Sequence, residues 1–293
     1  MFKSKSLACL MIMLLLLPCV AIGAADIDKT SDEAVPAPSA HQILDENGAS
    51  EYPRRDIQHY LANLSFYEPT YLLVGTDPEK SRLQLSFKYR LFNPDKPVAR
   101  DYPWVSGLHL GYTQTSLWDL DSMSRPFIDT SYKPEFFFLS DNLKARPSWM
   151  NAWIIQTGYR HESNGQGGTD SRSTNHLFFK TGFAFDLAGD CRFGLAPQAW
   201  VYFKNDDRTN PDIEDYRGYF EIEAGIIRPD SFALISAFQE RAVRVDFSYP
   251  LSRLFADNID FYLYAQYFSG YAETLRNYRE KDEATRIGIA ITR

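Results

Sequence analysis

Short segments in which polar and apolar side chains alternate dominate this chain, and they constrain its fold more than any other feature. Trp153, Ile155 and Tyr159, for example, alternate with Gln156 and Arg160. Successive side chains of a β-strand point to opposite faces, so a period of two predicts strands with one apolar and one polar face. Segments of roughly ten residues, the length that crosses a bilayer as a tilted strand, are separated by Gly, Pro, Asn and Asp. Two further segments with this period are 177–185 and 259–267.

Two all-β folds fit this alternation. In a transmembrane β-barrel the apolar face contacts lipid and the polar face lines the lumen, whereas in a secreted β-sandwich the apolar face is the core. An aromatic content of 15% fits the aromatic girdles of a barrel, although it also fits a tyrosine-rich sandwich. The strand-like segments number about twelve, an even number typical of a closed antiparallel barrel. We therefore predict an all-β fold, a transmembrane antiparallel β-barrel of about 12 strands.

The residues before the strands fall into two segments. Two lysines precede an almost unbroken apolar run that ends in small residues, a pattern that predicts a signal peptide over 1–25. Residues 26–66 are polar, contain several prolines and lack a period of any length, so we predict a flexible periplasmic extension. The barrel domain is predicted over 67–293. No later apolar stretch approaches the ~18 residues that a membrane-spanning helix needs.

Three polar residues lie on a face that is predicted to be apolar. His161 and Ser163 are two residues apart on one predicted strand, so both share the face of Tyr159. Asn175 lies on the following strand and shares the face of Leu177. Polar groups on a lipid-facing surface are expensive, which favours an enzyme whose substrate is the lipid. We predict that Ser163 is a nucleophile, that His161 is its general base and that Asn175 orients the imidazole.

The segment between these two strands is rich in glycine and in oxygen-bearing side chains. Gly165 and its neighbouring glycines allow tight turns, while Asp170 and Ser171 offer oxygen ligands of the kind that Ca²⁺ prefers. A calcium ion here would act as a Lewis acid on the ester carbonyl oxygen. Taken alone, a loop of this composition is more often a solvated turn, and a serine two residues after a histidine is common. Their combination on one face is what favours catalysis.

These residues resemble the outer-membrane phospholipase A family of Gram-negative bacteria, and the resemblance extends from about Tyr67 to the C-terminus. It is strongest at His161-x-Ser163-Asn164-Gly165 and Ser171-Arg172-Ser173-x-Asn175. The spacing from the histidine to the asparagine is that of the family, so the resemblance assigns the same roles to the three predicted catalytic residues. Other similar blocks are Tyr112-Thr113-Gln114, Tyr132-x-Pro134-Glu135, Asn210-Pro211-Asp212 and Ser269-Gly270-Tyr271-x-Glu273.

The resemblance implies a calcium-dependent phospholipase of the bacterial outer membrane that acts as a homodimer. The reaction is then hydrolysis of the sn-1 and sn-2 acyl esters of phospholipids and lysophospholipids, with the site toward the outer leaflet. The implied calcium ligands are the Ser171 side chain, the Gln166 carbonyl and Ser124 of the partner subunit, with Ser122 as the alternative to Ser124. The implied oxyanion-binding amide is that of Gly165, and Gln114 is implied at the dimer interface.

Two other functions remain open from the residues alone. One is a non-enzymatic barrel, either a pore or an assembly scaffold, although the inward-facing Arg160, Glu162, Lys180 and Asp186 are expected to fill the lumen with charge pairs. The other is a secreted soluble esterase, in which the alternating apolar face would be an internal core. A nucleic-acid partner is not expected, because the net charge is -7 and such a partner requires a basic surface.

Overall fold

The computed structural model describes residues 60–205, 209–255 and 260–292, so the predicted signal peptide and most of the predicted extension lie outside the described residues. The helices are α1 (Pro97–Asp101) and α2 (Ile213–Arg217), with 3-10 turns at Pro78–Lys80, Pro103–Gly107, Gly168–Asp170 and Leu251–Arg253. The strands are β1 Leu64–Phe66, β2 Tyr71–Gly75, β3 Ser81–Arg90, β4 Leu108–Trp118, β5 Phe127–Leu139, β6 Ala152–Ser163, β7 Ser173–Asp186, β8 Arg192–Tyr202, β9 Phe220–Ile227, β10 Ala233–Gln239, β11 Ala242–Pro250, β12 Tyr262–Tyr271 and β13 Lys281–Ala290.

Twelve strands, β2 to β13, form a closed antiparallel barrel, which confirms the predicted fold class. Each strand pairs with its neighbours in sequence, and β13 returns to pair with β2. This seam is short, with five paired positions from Tyr71 opposite Ala290 to Gly75 opposite Arg286, whereas β12 and β13 share ten. Closure leaves the ladder without an open edge, which is what a strand protein needs in a bilayer.

The short strand β1 continues the line of β2 along the same edge of β3. It pairs with residues 87–89 of β3, and β2 pairs with residues 82–84. Leu64 and Phe66 extend the outward apolar alternation, because both side chains are exposed. The strand ladder therefore begins three residues before the predicted boundary at Tyr67.

The outer face of the barrel carries apolar side chains at the middle of its strands. Leu85, Leu110, Phe136, Leu177 and Ile287 lie on five different strands and are each between 45% and 53% exposed. So many exposed apolar groups suit hydrocarbon rather than water, as expected for the outside of a membrane barrel. Among the described residues, no helix is both long enough and apolar enough to cross a membrane.

The interior is polar, and charge pairs cross it. Arg160 Nε lies 3.0 Å from Glu135 Oε1, and Lys180 Nζ lies 2.6 Å from Glu223 Oε2. Both pairs line a cavity of about 180 Å³ inside the barrel. A polar interior is the opposite of what a soluble sandwich requires, because a sandwich buries its apolar face.

Asp186 is an exception to the predicted interior set. It is the last residue of β7, is exposed, and bonds to Arg192 and Asn151 at the end of the barrel. Its prediction as a lumen residue was wrong, because alternation gives the face of a residue but not where the strand leaves the barrel wall.

Candidate active site

The hairpin of β6 and β7 carries all three predicted catalytic residues at one end of the barrel. Its connecting loop, residues 164–172, lies at the end opposite to the paired residues Tyr71 and Ala290. His161 is the register partner of Asn175, and Ser163 is the register partner of Ser173. The closed ladder therefore places residues that are 12 and 14 positions apart in sequence side by side on the outer face.

His161 and Asn175 are joined by a hydrogen bond. The His161 Nδ1 atom lies 2.8 Å from Asn175 Oδ1, and the Tyr159 hydroxyl donates to the same oxygen at 2.7 Å. An amide oxygen can only accept, so in this arrangement His161 Nδ1 carries the proton and Nε2 is an acceptor. This is the tautomer that a general base requires.

Ser163 lies beside this pair without engaging it. It is the last residue of β6 and is flanked by Tyr132 of β5 and Ser173 of β7. Within the described residues, its hydroxyl forms no hydrogen bond, to His161 or to any other group. Contacts between a nucleophile and its base often tighten only when substrate binds. The site thus contains an oriented base and an adjacent, uncommitted hydroxyl.

The loop 164–172 is organised by the buried side chain of Asn164, for which the sequence reading gave no separate role. Its Oδ1 accepts from the amides of Gln166 at 3.3 Å and Arg172 at 3.0 Å, and its Nδ2 donates to the Asp170 carbonyl at 2.9 Å. Asparagine is suited to this position because one amide side chain both donates and accepts. Asn164 therefore fixes the backbone that follows Ser163.

Gly165 occupies a position that excludes other residues for two reasons. Its φ is +68°, and a Cβ atom there would lie 2.9 Å from the Tyr132 ring. L-residues pay roughly 1–2 kcal/mol for the left-handed region. Among the described residues, no partner for the Gly165 amide is found. That amide lies two residues after Ser163, and its role in binding an oxyanion stays a prediction.

The predicted calcium ligands lie on two separate loops. Gln166 is exposed and Ser171 half-buried on the loop 164–172, while Ser124 is exposed in the β4–β5 turn. No group of three or more His, Cys, Asp or Glu able to hold a metal ion occurs in the described part of the chain. A calcium ion bound by the predicted residues would thus depend on hydroxyl and carbonyl oxygens, which suit this cation.

The alternative ligand Ser122 is already engaged. Its hydroxyl and its amide both donate to the Asp119 carboxylate, which also accepts from the amide of Asp121. The Ser122 hydrogen bond is the main cause that lowers the pKa of Asp119 below its ordinary value. The preference for Ser124 over Ser122 stays a prediction.

Residues of the β8–β9 loop, 203–219, bind Asn175 and Ser173, and the sequence analysis did not predict these contacts. The Lys204 carbonyl accepts from Asn175 Nδ2 at 3.3 Å, and Asn205 Oδ1 accepts from the Asn175 amide at 2.8 Å. Asn210, which is 1% exposed, accepts from the Ser173 amide through Oδ1 at 3.2 Å. The only signal in the sequence was the block Asn210-Pro211-Asp212.

Gln114 belongs to a polar row on the outer face that leads to Ser163. It is paired with Tyr132, which is in turn paired with Ser163. The Tyr112 hydroxyl donates to Gln114 Oε1 at 3.0 Å, so the amide is partly satisfied within its own strand. The row forms a polar patch on the outer face that crosses β4, β5 and β6.

Comparison with protein families and curated proteins gives concordant findings. A family model described as Phospholipase A1 matches residues 56–292. A putative phospholipase A1 of Neisseria meningitidis serogroup B is 27% identical over 223 residues, which cover 72% of this chain and 54% of the relative. The phospholipase A1 of Escherichia coli K12 is 30% identical over 197 residues, which cover 64% and 62%. The chain thus spans between 54% and 62% of the length of these relatives.

Solved structures share the fold. The outer membrane phospholipase A from Escherichia coli has a TM-score of 0.63 and 24% identity, covering 78% of this chain and 97% of that chain. A crystal structure of the Salmonella typhi outer membrane phospholipase dimer with bound calcium has a TM-score of 0.64 and 24% identity, covering 78% and 91%. At this level of identity the likeness establishes the barrel architecture.

Proposed function

Because this chain belongs to the phospholipase A1 family, we propose that it is a calcium-dependent phospholipase of the bacterial outer membrane that hydrolyses the sn-1 and sn-2 acyl esters of phospholipids and lysophospholipids. One observation carries the proposal: Asn175 binds the His161 imidazole and holds it in the tautomer that a base requires. His161 lies on the outward face, two residues before Ser163. A lipid beside the barrel wall reaches this face without leaving the membrane. The site lies at the end of the barrel opposite to Tyr71 and Ala290. We assign the end with the site to the outer leaflet.

The hairpin supplies the nucleophile, the general base and an oxyanion-binding amide. His161 Nε2 accepts the proton of the Ser163 hydroxyl while Oγ attacks the ester carbonyl carbon, and it returns this proton to the departing lysophospholipid oxygen. Water then hydrolyses the acyl-enzyme with His161 again acting as base. Asn175 keeps the ring oriented, although as a neutral group it stabilises the imidazolium less than a carboxylate would. The Gly165 amide donates to the oxyanion.

Calcium would compensate for the weak third member of the triad. We assign its ligands to the Ser171 hydroxyl, the Gln166 carbonyl and Ser124 of the partner subunit. When bound, it supplies Lewis-acid stabilisation of the oxyanion. The first two ligands belong to the loop that Asn164 organises, and both are neutral oxygens. One loop thus offers a small part of the six to eight ligands that Ca²⁺ takes, so a contribution from a second subunit is expected.

Dimerisation through the face that carries Gln114 fits the same arrangement. An amide on a lipid-facing surface favours a partner over hydrocarbon, because a polar group has no water to bind there. Gln114 lies in the row that ends at Ser163, so an interface on this row brings the second subunit next to the nucleophile.

The decisive test is fatty-acid release from phospholipid in detergent micelles. Wild type and Ser163→Ala are compared, each with calcium and with a chelator. Release is expected only from wild type with calcium, and chemical cross-linking is expected to report dimers under the same condition. Release by Ser163→Ala would refute the assignment of the nucleophile, and release in chelator would refute the calcium requirement.

A pore is the second candidate, since the fold is a closed barrel. The charge pairs that cross the lumen count against it, because they occupy the path that ions would take. Conductance across a planar bilayer, together with an absence of lysolipid production, would favour the pore.

A further inference from the structure

A buried ion pair lies directly behind the catalytic strand. Glu162 stands between His161 and Ser163 in sequence and therefore points to the opposite, interior face, where it is 4% exposed. Its Oε2 lies 2.7 Å from Arg217 Nη1, and its Oε1 lies 3.4 Å from Arg217 Nη2. The Ser131 hydroxyl donates to the same carboxylate, and Lys133 lies 3.8 Å away. Oε1 thus has three partners, from Ser131, Lys133 and Arg217, and Oε2 has one, from Arg217.

Arg217 connects this carboxylate to the loop that supports the triad. It is the last residue of α2, within the β8–β9 loop that also contributes Lys204, Asn205 and Asn210. Those three residues bond to Asn175 and Ser173 on and beside the outer face. The loop therefore contacts the β6–β7 hairpin from both sides of the barrel wall, with Glu162 as its anchor inside.

We propose that the Glu162–Arg217 pair is a positioning device that fixes where the β8–β9 loop packs against β6. Through this loop, the pair sets the position of Asn175 relative to His161 and Ser163. Both residues act through others and touch no substrate. The inference rests on the proposed esterase function and adds a determinant of its rate.

Energetics favour a geometric role over a stabilising one. Burying two charges is costly, and well-packed apolar residues can often replace such a pair without loss of stability. A bidentate arginine–carboxylate contact is, however, directional, and it fixes two elements in one relative orientation. Misplacement of a catalytic group by about 1 Å can lower a rate by roughly a hundredfold. Orientation of the loop is therefore where the pair is expected to act.

The test compares Glu162→Gln, Arg217→Met and the double variant with wild type in micelles with calcium. We expect each of the three to lower kcat by about tenfold or more with little change in KM, because positioning and not substrate binding is disturbed. The matched control is Glu223→Gln, which removes a half-buried lumen carboxylate paired with Lys180 and Arg244, away from the loop 164–172. It is expected to keep kcat near the wild-type value.

A second readout does not depend on activity. Hydrogen exchange of the Ser173 and Asn175 amides, which donate to Asn210 and Asn205, is expected to quicken in the Glu162 and Arg217 variants and to stay unchanged in Glu223→Gln. Recovery of wild-type kcat in the double variant would overturn the proposal, since the single variants would then suffer only from an uncompensated buried charge. Inactive wild type would defeat the esterase function itself, and unchanged exchange would still overturn the positioning role.

Discussion

The two ends of the barrel hold their loops in different ways. At the end with the catalytic hairpin, loops far apart in sequence contact each other. Arg279 of the β12–β13 loop pairs with Asp212 of the β8–β9 loop at 2.7 Å, and Tyr278 donates to the same carboxylate at 2.5 Å. Ile213 and Leu275, both fully buried, pack together beneath them. These contacts form a small folded layer over the mouth of the barrel.

At the opposite end, the described polar contacts of the β5–β6 loop, residues 140–151, stay within that hairpin or reach the neighbouring one. Asn142 Nδ2 donates to the Asn151 carbonyl, and Arg146 donates to the carbonyls of Leu143 and Met150 within the same β5–β6 loop. Large aromatic side chains, such as Trp149 at 67% exposure, are not covered. At the end with the β6–β7 hairpin, contacts between distant loops therefore include those that hold Ser173 and Asn175, whereas Trp149 and its neighbours at the other end have no such cover.

The largest effect is expected for Asn175→Ala. This change removes the acceptor for His161 Nδ1, and a hydrogen bond to a group that becomes charged contributes roughly 1.5–3 kcal/mol. We expect kcat to fall about a hundredfold, since 1.36 kcal/mol is a factor of ten. Asn151→Ala, a matched change at the opposite end of the same hairpin, should leave kcat unchanged. Equal losses in the two variants would contradict the contrast between the ends.

A smaller effect is expected for Gly165→Ala. The added methyl would lie 2.9 Å from the Tyr132 ring, and the alanine would have to adopt a strained φ of +68°. Strain of roughly 1–2 kcal/mol displaces the oxyanion amide, so kcat should fall by about tenfold. Gly167→Ala is the control within the same loop, because a Cβ there meets no atom within 4 Å. A comparable loss in Gly167→Ala would show that the whole loop is merely sensitive to glycine replacement.

Tyr159→Phe should have a modest effect on the rate. The lost hydroxyl donates to Asn175 Oδ1 at 2.7 Å and helps to hold the side-chain amide in one orientation. A neutral hydrogen bond contributes about 1 kcal/mol, so kcat should fall by about two- to fivefold. Single-turnover measurements with a soluble ester check this expectation, and an unchanged rate would show that the Lys204 carbonyl suffices to hold the side-chain amide of Asn175.

The smallest effect concerns pH and the loop layer. Arg279 and, less strongly, Tyr278 hold the pKa of Asp212 below its usual range. A lowered folded-state pKa contributes stability above the unfolded value, and this contribution is lost as pH falls through the folded value. Hydrogen-exchange protection of residues 272–280 should therefore be higher in wild type than in Asp212→Asn at neutral pH. This difference should begin to shrink below about pH 4 and vanish once the pH falls below the lowered pKa of Asp212. Asp186→Asn should leave that protection unaltered at every pH.

The sequence predicted what depends on local spacing and missed what depends on tertiary contacts. A period of two suffices to put His161 and Ser163 on one face, and the parity of Leu177 places Asn175 beside them. The partners of Asn175 in the β8–β9 loop follow from no period, because a loop has none. Similarly, alternation turns Glu162 inward but does not select Arg217, which lies 55 residues away and reaches it only through the folded loop.

The short seam between β2 and β13 has a mechanical consequence. A cylinder under lateral load opens where its wall is least paired, and here that is around β2, which shares five paired positions with β13 and three with β3. Inside the wall, Glu273 spans it by binding both Arg82 of β3 and Arg286 of β13, at 3.0 Å and 2.6 Å. The β6–β7 hairpin lies almost diametrically across the barrel. Changes in bilayer thickness or tension are therefore expected to be absorbed at the seam, far from the residues whose spacing must stay constant.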